Sequence, residues 1–345
     1  MEDFMASQNP DENKPLVAIL IPAQTREKVL PAESLEALTE LALMRLPKGP
    51  QITPDALPEL LDGTVACITG WGTPPLSAEL LKANPKLRLV AHTAGSVRNL
   101  VPLNLVEEGL RVSHAAAIIA DAVAEFVVSE ALLGLRPLHE IDRGMRAGEE
   151  WKPLHERSIG RLLGDCRVGI VGAGYVGRKV VHLFTSFGAQ VSVYDPFLSN
   201  ESAAALGVSS CTLDQLLAES DVVSLHAPVL LETREMIGAA QLAQMRDGSL
   251  FINTARAALV DEEALLKELQ SGRINAALDV FATEPLPFDS PFRSLPNVIL
   301  SPHVAGHTTD TYLRQGKAMV EEVGRFIRGE PLVFEVSAQM LPTMA

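Results

Sequence analysis

Residues 169–178 have the sequence Gly-Ile-Val-Gly-Ala-Gly-Tyr-Val-Gly-Arg, and the fold of this chain is most readily inferred from them. Its glycines Gly172, Gly174 and Gly177 satisfy the spacing GxGxxG at the end of an apolar run, Val168–Val171, that predicts a β-strand. A helical pattern follows at once. In such a strand–turn–helix unit the first glycine makes the tight turn, the second admits a diphosphate, and the third lets helix and strand pack closely. The stretch therefore predicts a dinucleotide-binding unit.

A GxGxxG match is weak evidence by itself, because glycine-rich turns also occur for steric reasons alone. Asp195 strengthens it, since this residue ends the next strand-like run, Val191–Tyr194, and falls 18 residues after Gly177. A carboxylate at this place accepts hydrogen bonds from the adenosine ribose hydroxyls. It would also repel a 2′-phosphate, and Pro196–Leu198 supply no Arg or Lys to hold one. The sequence thus predicts NAD rather than NADP.

Composition excludes several classes of function. The 345 residues, 47% of them hydrophobic, are enough for two domains. A net charge of -14 with scattered basic residues argues against a nucleic-acid partner, and the absence of a long apolar run argues against a membrane partner. Three cysteines without CxxC spacing indicate neither a disulfide framework nor a metal site. The polar opening Met1–Lys14 lacks the features of a secretory signal, so we expect a cytoplasmic location.

Strand-like runs alternate with helical stretches, a pattern that favours parallel sheets flanked by helices. The runs are Leu16–Ile21, Val65–Thr69 and Leu87–Ala91 in the first region, and Val168–Val171, Val191–Tyr194, Val222–Leu225, Leu250–Ile252, Ala276–Leu278 and Val298–Leu300 in the second. Apolar residues at helical spacing predict one long helix from Ala120 to about Met145 that joins the two regions, and a last helix over Thr308–Arg328.

The second region resembles the D-isomer-specific 2-hydroxyacid dehydrogenase family in several motifs, including relatives of the phosphoglycerate dehydrogenase and glyoxylate/hydroxypyruvate reductase type. With weaker matches the resemblance runs from about Val65 to Gly329. Residues 248–262 are similar to the loop that carries the catalytic arginine, residues 277–285 to the acidic motif, and residues 301–306 to the histidine segment. These matches place the catalytic roles on Arg256, Glu284 and His303.

The chemistry gives a separate reason for wanting these three groups together. Imidazole, with an ordinary pKa near ~6.5, suits proton exchange with a substrate hydroxyl at neutral pH. A carboxylate on its other ring nitrogen orients the ring and stabilises its charged form, and a guanidinium can bind a substrate carboxylate and polarise the reacting oxygen. Each residue also has a simpler interpretation: Arg256 as a surface charge, Glu284 as a turn acid before proline, and His303 as a polar group at a strand end.

The resemblance also implies which residues bind the cofactor and the substrate. The substrate carboxylate would meet Arg256 and the backbone amides of Ala94, Gly95 and Ser96. This loop departs from the family pattern, because Ser96–Asn99 replaces the usual Asp and Leu-Asp, so the identity of the acid stays open. Arg98 is either a contact for a second negative group or a solvated loop arginine. The implied NAD contacts are Gly172, Gly174, Tyr175, Val176, Gly177, Asp195, His226, Pro228, Thr254, Ala255, Arg256, Asp279, His303 and Gly306, with Asp279 facing the nicotinamide amide.

By this resemblance the chain is an α/β protein of two Rossmann-like, doubly wound domains. An NAD-binding Rossmann domain, residues 121–306, would be inserted into a flavodoxin-like substrate domain formed by residues 1–120 and 307–345. The expected activity is hydride transfer between NAD and a small 2-hydroxy or 2-oxo acid. The stretch Asp121–Glu125 resembles the start of a helix that builds a homodimer in relatives. An alternative function is open, because some relatives are NAD-binding corepressors that recruit proteins.

Overall fold

The computed structural model describes residues 14–344, so residues 1–13, which form nearly all of the polar opening, and Ala345 lie outside the described residues. Two compact units account for the chain. One comprises the described residues up to Ile119 together with Thr308–Met344, and the other comprises Ala120–His307. The chain leaves the first unit and later returns to it, so the second unit is an insertion.

The first unit is built on a five-stranded parallel sheet with the strand order β2-β1-β3-β4-β5, the flavodoxin-like order. Residues of β1, β3, β4 and β5 are almost all buried, as expected for parallel strands covered on both faces. The five strands are β1 Leu16–Leu20, β2 Leu43–Arg45, β3 Ala66–Thr69, β4 Leu89–His92 and β5 Arg111–His114.

The second unit is built on a seven-stranded parallel sheet with the order β12-β11-β10-β9-β6-β7-β8. The order reverses between β6 and β9, which makes this the switch point where open α/β sheets bind ligands. The predicted pair of doubly wound α/β folds, one inserted into the other, is confirmed. The strands are β6 Arg167–Val171, β7 Gln190–Tyr194, β8 Ser209–Ser210, β9 Val222–Leu225, β10 Leu250–Asn253, β11 Asn275–Leu278 and β12 Val298–Leu300.

Helices connect these strands. They are α1 Ala23–Val29, α2 Ala32–Leu41, α3 Leu57–Leu61, α4 Ala78–Ala83, α5 Leu103–Glu107, α6 Ala116–Leu135, α7 Leu138–Arg146, α8 Trp151–Arg157, α9 Tyr175–Ser186, α10 Asn200–Ala205, α11 Leu213–Glu219, α12 Ala239–Gln244, α13 Glu262–Gln270 and α14 Thr309–Ile327. Within residues 14–344, no helix has both the length and the apolar character needed to cross a membrane.

The single long helix predicted from Ala120 to Met145 is wrong. The structure has two helices there, α6 and α7, and the break falls at Arg136–Pro137. Proline lacks an amide hydrogen and its ring disfavours helical geometry in the residue before it, so a helix ends there. The apolar periodicity continues across the break, and for this reason the hydrophobic pattern alone did not reveal it.

Helix α14 returns the chain to the first unit and packs against α1 through a glycine. A Cβ atom added to Gly316 would overlap the backbone carbonyl oxygen of Val29. Backbone atoms cannot move aside as a flexible side chain can, so the two helices would have to separate. The close approach of α1 and α14 therefore depends on the missing side chain.

We predict that Gly316→Ala destabilises the protein by about 1–3 kcal/mol through this overlap, despite the better helix propensity of alanine. Thermal or urea unfolding measures the change. Lys317→Ala, at the exposed neighbouring position on the same helix, is the control and should leave the unfolding midpoint nearly unchanged. An unaltered midpoint in Gly316→Ala would contradict this account of the helix contact.

Candidate active site

The glycine motif forms a tight turn between β6 and α9. Gly172 has a φ of 97°, in the left-handed region that favours glycine. A Cβ atom on it would lie 2.7 Å from the amide nitrogen of Ala227, beyond the end of β9. A Cβ atom on Gly177 would overlap the carbonyl oxygen of Gly172. These two glycines are thus required by the close packing of the turn itself.

Gly174 has a different role, because a Cβ atom there would meet no atom within 4 Å. It caps the N-terminus of α9, a helix of 12 residues that begins without a side-chain cap. The backbone amides and the positive end of the dipole at such a helix start attract phosphate groups. The open space at Gly174 and the uncapped helix start together fit a dinucleotide diphosphate.

Asp195 lies beside this turn at the end of β7. Its carboxylate accepts hydrogen bonds from the amide of Ala173 at 2.7 Å and from the amide of Phe197 at 2.8 Å. Each carboxylate oxygen keeps a further lone pair, so the group can still accept hydrogen bonds from ribose hydroxyls. The glycine turn and the carboxylate are therefore fixed to each other before any ligand binds.

Further sequence-predicted cofactor residues follow β9 and β10. His226 pairs through Nε2 with the Ser224 hydroxyl at 2.9 Å, and burial lowers the pKa of His226 to about 3. The carbonyl of Pro228 accepts a hydrogen bond from Thr233 at 2.6 Å. The Thr254 hydroxyl is buried, and among residues 14–344 it finds no hydrogen-bond partner. A bound cofactor could satisfy it.

Arg256 is held by a side chain that sequence reasoning missed. Asn253, at the end of β10, donates to the carbonyl of Arg256 at 3.1 Å and accepts from the amide of Ala255 at 3.0 Å. These two bonds fix the turn that carries Arg256. Burial lowers the pKa of Arg256, opposed by the charge of Glu284, but a guanidinium stays charged at neutral pH. The signal that could have found it is an asparagine three residues before the predicted catalytic arginine.

Glu284 and His303 form a hydrogen-bonded pair. The carboxylate Oε2 lies 2.8 Å from Nδ1 of His303, and Oε1 accepts from the amide of Phe281 at 3.0 Å. Burial alone would raise the pKa of Glu284, but hydrogen bonds from His303 and Phe281 and the charge of Arg256 bring it below its ordinary value. The carboxylate is therefore ionised at neutral pH, and Nε2 is the ring nitrogen left to exchange a proton.

His303 sits in a constrained loop, with a φ of 56° that is unusual for a residue other than glycine. The fully buried carboxylate of Asp279 holds this loop from below. It accepts hydrogen bonds from the Ser301 hydroxyl at 2.6 Å and from the amides of Val304 and Ala305, both at 2.9 Å. Ala305 directly precedes Gly306, one of the predicted cofactor residues. The structure thus gives Asp279 a contact that the resemblance did not imply, the clamping of the histidine loop.

A pocket of about 660 Å³ opens beside the Glu284–His303 pair. Its walls include the apolar side chains of Phe281, Leu286 and Leu300. The imidazole is about half exposed, with 47% of its side-chain surface accessible. The residues that the structure describes contain no group of three or more His, Cys, Asp or Glu side chains placed to hold a metal ion.

In the first unit, the loop after β4 is oriented by hydrogen bonds to its carbonyl groups. The amide of Ala115 donates to the carbonyl of Ala94 at 3.0 Å, and Nδ1 of His114 donates to that of Gly95 at 2.7 Å. Because peptides are planar and trans, the amides of Gly95 and Ser96 point the opposite way. Sequence reasoning missed His114, a buried histidine whose pKa is lowered by burial. The loop thus directs the amides of the consecutive residues Gly95 and Ser96 away from these two carbonyl contacts.

The contrast between two glycines gives a test of the cofactor site. We predict that Gly174→Ala leaves stability within about 0.5 kcal/mol of the original but raises the Kd for NADH at least about tenfold, because its methyl group fills the space for the diphosphate. Gly177→Ala should instead destabilise the fold by about 1–3 kcal/mol. Fluorescence titration with NADH and thermal unfolding separate the two effects. Unchanged NADH binding by Gly174→Ala would refute this placement of the diphosphate.

Comparison with known sequences finds curated relatives over most of the chain. A glyoxylate reductase from Korarchaeum cryptofilum is 36% identical over 262 residues, covering 75% of this chain and 78% of the relative. A D-3-phosphoglycerate dehydrogenase from Mycobacterium leprae is 36% identical over 256 residues, which cover 74% of this chain but only 48% of that longer relative. The match with the first relative thus covers about three quarters of each chain.

Structural comparison agrees. A glyoxylate reductase from Paecilomyes thermophila aligns with a TM-score of 0.79 at 26% identity, covering 95% of this chain and 99% of that one. A phosphoglycerate oxidoreductase from Rhizobium etli aligns with a TM-score of 0.78 at 30% identity, covering 93% and 97%. Residues 128–305 match the family model described as the NAD-binding domain of D-isomer specific 2-hydroxyacid dehydrogenases. The chain therefore belongs to the D-isomer specific 2-hydroxyacid dehydrogenase family of NAD-dependent oxidoreductases.

Proposed function

We propose that this protein transfers a hydride between NAD(H) and a small 2-oxo or D-2-hydroxy acid, with His303 as acid and base, Glu284 as its partner and Arg256 as the carboxylate anchor. The observation that carries the proposal is the 2.8 Å hydrogen bond between Glu284 and His303. This bond leaves Nε2 of His303 for proton exchange. The positive charge of Arg256 helps to lower the pKa of Glu284.

When bound, NADH supplies the hydride that adds to the carbonyl carbon of the 2-oxo acid. His303 donates the proton from Nε2 to the carbonyl oxygen, so that the product is the hydroxy acid. The ionised Glu284 stabilises the imidazolium form of His303 before the proton leaves. Arg256 binds the substrate carboxylate and polarises the carbonyl oxygen, where negative charge develops as the hydride arrives. In the oxidation of a hydroxy acid, His303 takes the proton back.

The remaining assignments belong to the same proposal. Residues 121–306 form the NAD-binding domain, in which the glycine turn and helix α9 hold the diphosphate and Asp195 binds the adenosine ribose. Residues 1–120 and 307–345 form the substrate domain, in which the amides around Ala94, Gly95 and Ser96 bind the acid. The name glyoxylate reductase, carried by similar proteins, makes glyoxylate the first substrate to test. Hydroxypyruvate is the second, because the sequence motifs also resemble those of hydroxypyruvate reductases. A homodimer and a cytoplasmic location stay predictions of the sequence.

Loss of the histidine tests the proposed acid directly. We expect the protein to oxidise NADH in the presence of glyoxylate or hydroxypyruvate, and His303→Ala to lower kcat by about 100- to 10,000-fold, since that is the usual contribution of a general acid. NADH binding should persist. His182→Ala, at an exposed histidine on α9, is the control. Full turnover by His303→Ala would disprove the role, and tight NADH binding without turnover on a broad panel of 2-oxo acids would favour a binding protein of the corepressor kind.

The charges of Glu284 and Arg256 give a second prediction. Glu284→Gln keeps a hydrogen-bonding group but removes the negative charge, so the decline of reductase activity with rising pH should begin at lower pH than in the original protein. Arg256→Lys should lower kcat/KM for the acid by at least about tenfold, because an ammonium cannot form the bidentate contact. Steady-state rates across pH measure both. Identical pH profiles in Glu284→Gln would contradict the assigned pairing.

A further inference from the structure

Helix α6 carries a buried carboxyl group that the proposed mechanism does not use. Only 2% of Glu130 is exposed, and neither of its carboxyl oxygens has a hydrogen-bond partner at ordinary distance among residues 14–344. Burying an unpaired carboxylate costs roughly several kcal/mol, so such a group normally has a hydrogen-bond partner or carries a proton. Glu130 belongs to no recognisable motif, because it falls within a mainly apolar helix.

Two groups act on this carboxyl. Burial is the main reason that the pKa of Glu130 rises to about 8, and repulsion by the carboxylate of Asp279 adds to it, while Ser301 partly opposes the rise. Ser301 and Asp279 are two members of the clamp under the histidine loop. Glu130 is thus near enough to that clamp for the charge of Asp279 to act on it, and the raised pKa favours its protonated form at neutral pH.

The direction of the hydrogen bonds gives this proton a use. Ser301 donates its only hydroxyl hydrogen to Asp279, so the Ser301 oxygen is left as an acceptor. A protonated carboxyl has one O–H donor, whereas an ionised one has none. A small adjustment would let Glu130 donate to Ser301, and the chain would then run from Glu130 through Ser301 to Asp279 and the amides of Val304 and Ala305.

We propose that Glu130 is a positioning residue, which in its protonated form supports the Ser301–Asp279 clamp and thereby orients His303. This inference rests on the proposed function of His303. Deprotonation would place a second negative charge against Asp279 and remove the donor to Ser301. Of the other acids of α6, Asp121 is paired with Lys179 at 2.5 Å and Glu125 is exposed, so Asp279 is the charged group, among the described residues, that acts on Glu130.

The pH dependence of thermal stability tests whether Glu130 carries a proton in the folded protein, and this test does not depend on catalysis. The pKa of Glu130 is higher in the folded protein than in the unfolded chain, so folding takes up a proton between about pH 4.5 and about pH 8 and the original protein loses stability as pH rises through this range. Glu130→Gln cannot ionise. Its Tm relative to the original protein should therefore rise by at least about 3 °C between about pH 5 and about pH 8. Glu125→Gln is the matched control and should show a constant difference.

The positioning role of Glu130 is tested separately by measuring kcat. Glu130→Gln keeps a neutral donor, so its kcat at neutral pH should stay within about twofold of the original, whereas Glu130→Leu, which has no donor, should lower kcat about tenfold. The Kd for NADH should change by less than about twofold in both variants. Equal kcat in the glutamine and leucine variants, or a Tm difference for Glu130→Gln that does not vary with pH, would overturn the inference. If the original protein reduces no 2-oxo acid, the proposed function fails, and the Tm series still decides whether Glu130 stores a proton.

Discussion

The buried carboxylate of Asp279 is the constraint on which the candidate site depends. It accepts three hydrogen bonds, from the Ser301 hydroxyl and from the amides of Val304 and Ala305. These donors lie on either side of His303 in the sequence. A loop that holds His303 at a positive φ needs such support, because the backbone would otherwise relax to a more favourable conformation. The charge of Asp279 is stabilised by these three hydrogen-bond donors.

The parallel sheet explains why distant parts of the sequence contribute to one site. Strands β10, β11 and β12 are neighbours in the sheet, and the loops at their carboxyl ends carry Arg256, Glu284 and His303. The glycine turn leaves the same edge after β6, at the switch point of the strand order. In the proposed function, backbone groups of the glycine turn bind the diphosphate of NAD. The side chains of Arg256, Glu284 and His303 are then left for proton transfer and for stabilising charge on the substrate. Both requirements follow from the direction in which parallel strands end.

The sequence predicted nine of the twelve strands that the structure describes, because those nine are short, nearly continuous apolar runs, as buried parallel strands are. It missed β2, β5 and β8, each of which contains charged or polar residues. It failed at Pro137, where a proline breaks a helix whose hydrophobic pattern continues on both sides. The motifs named Arg256, Glu284 and His303, and the structure brings the last two into hydrogen-bond contact; their catalytic roles stay predictions. His114 and Glu130 could not be found in this way. They act on residues that approach them only in the folded chain, and neither has a distinctive spacing in the sequence.

The most direct test of the central claim is the fate of the hydride. The protein would be incubated with hydroxypyruvate and NADH deuterated at the transferring position, and the product examined by mass spectrometry and chiral chromatography. We expect the original protein to form D-glycerate with one deuterium at C2, and His303→Ala to form much less of it. Product without deuterium, or of the L configuration, would contradict the central claim.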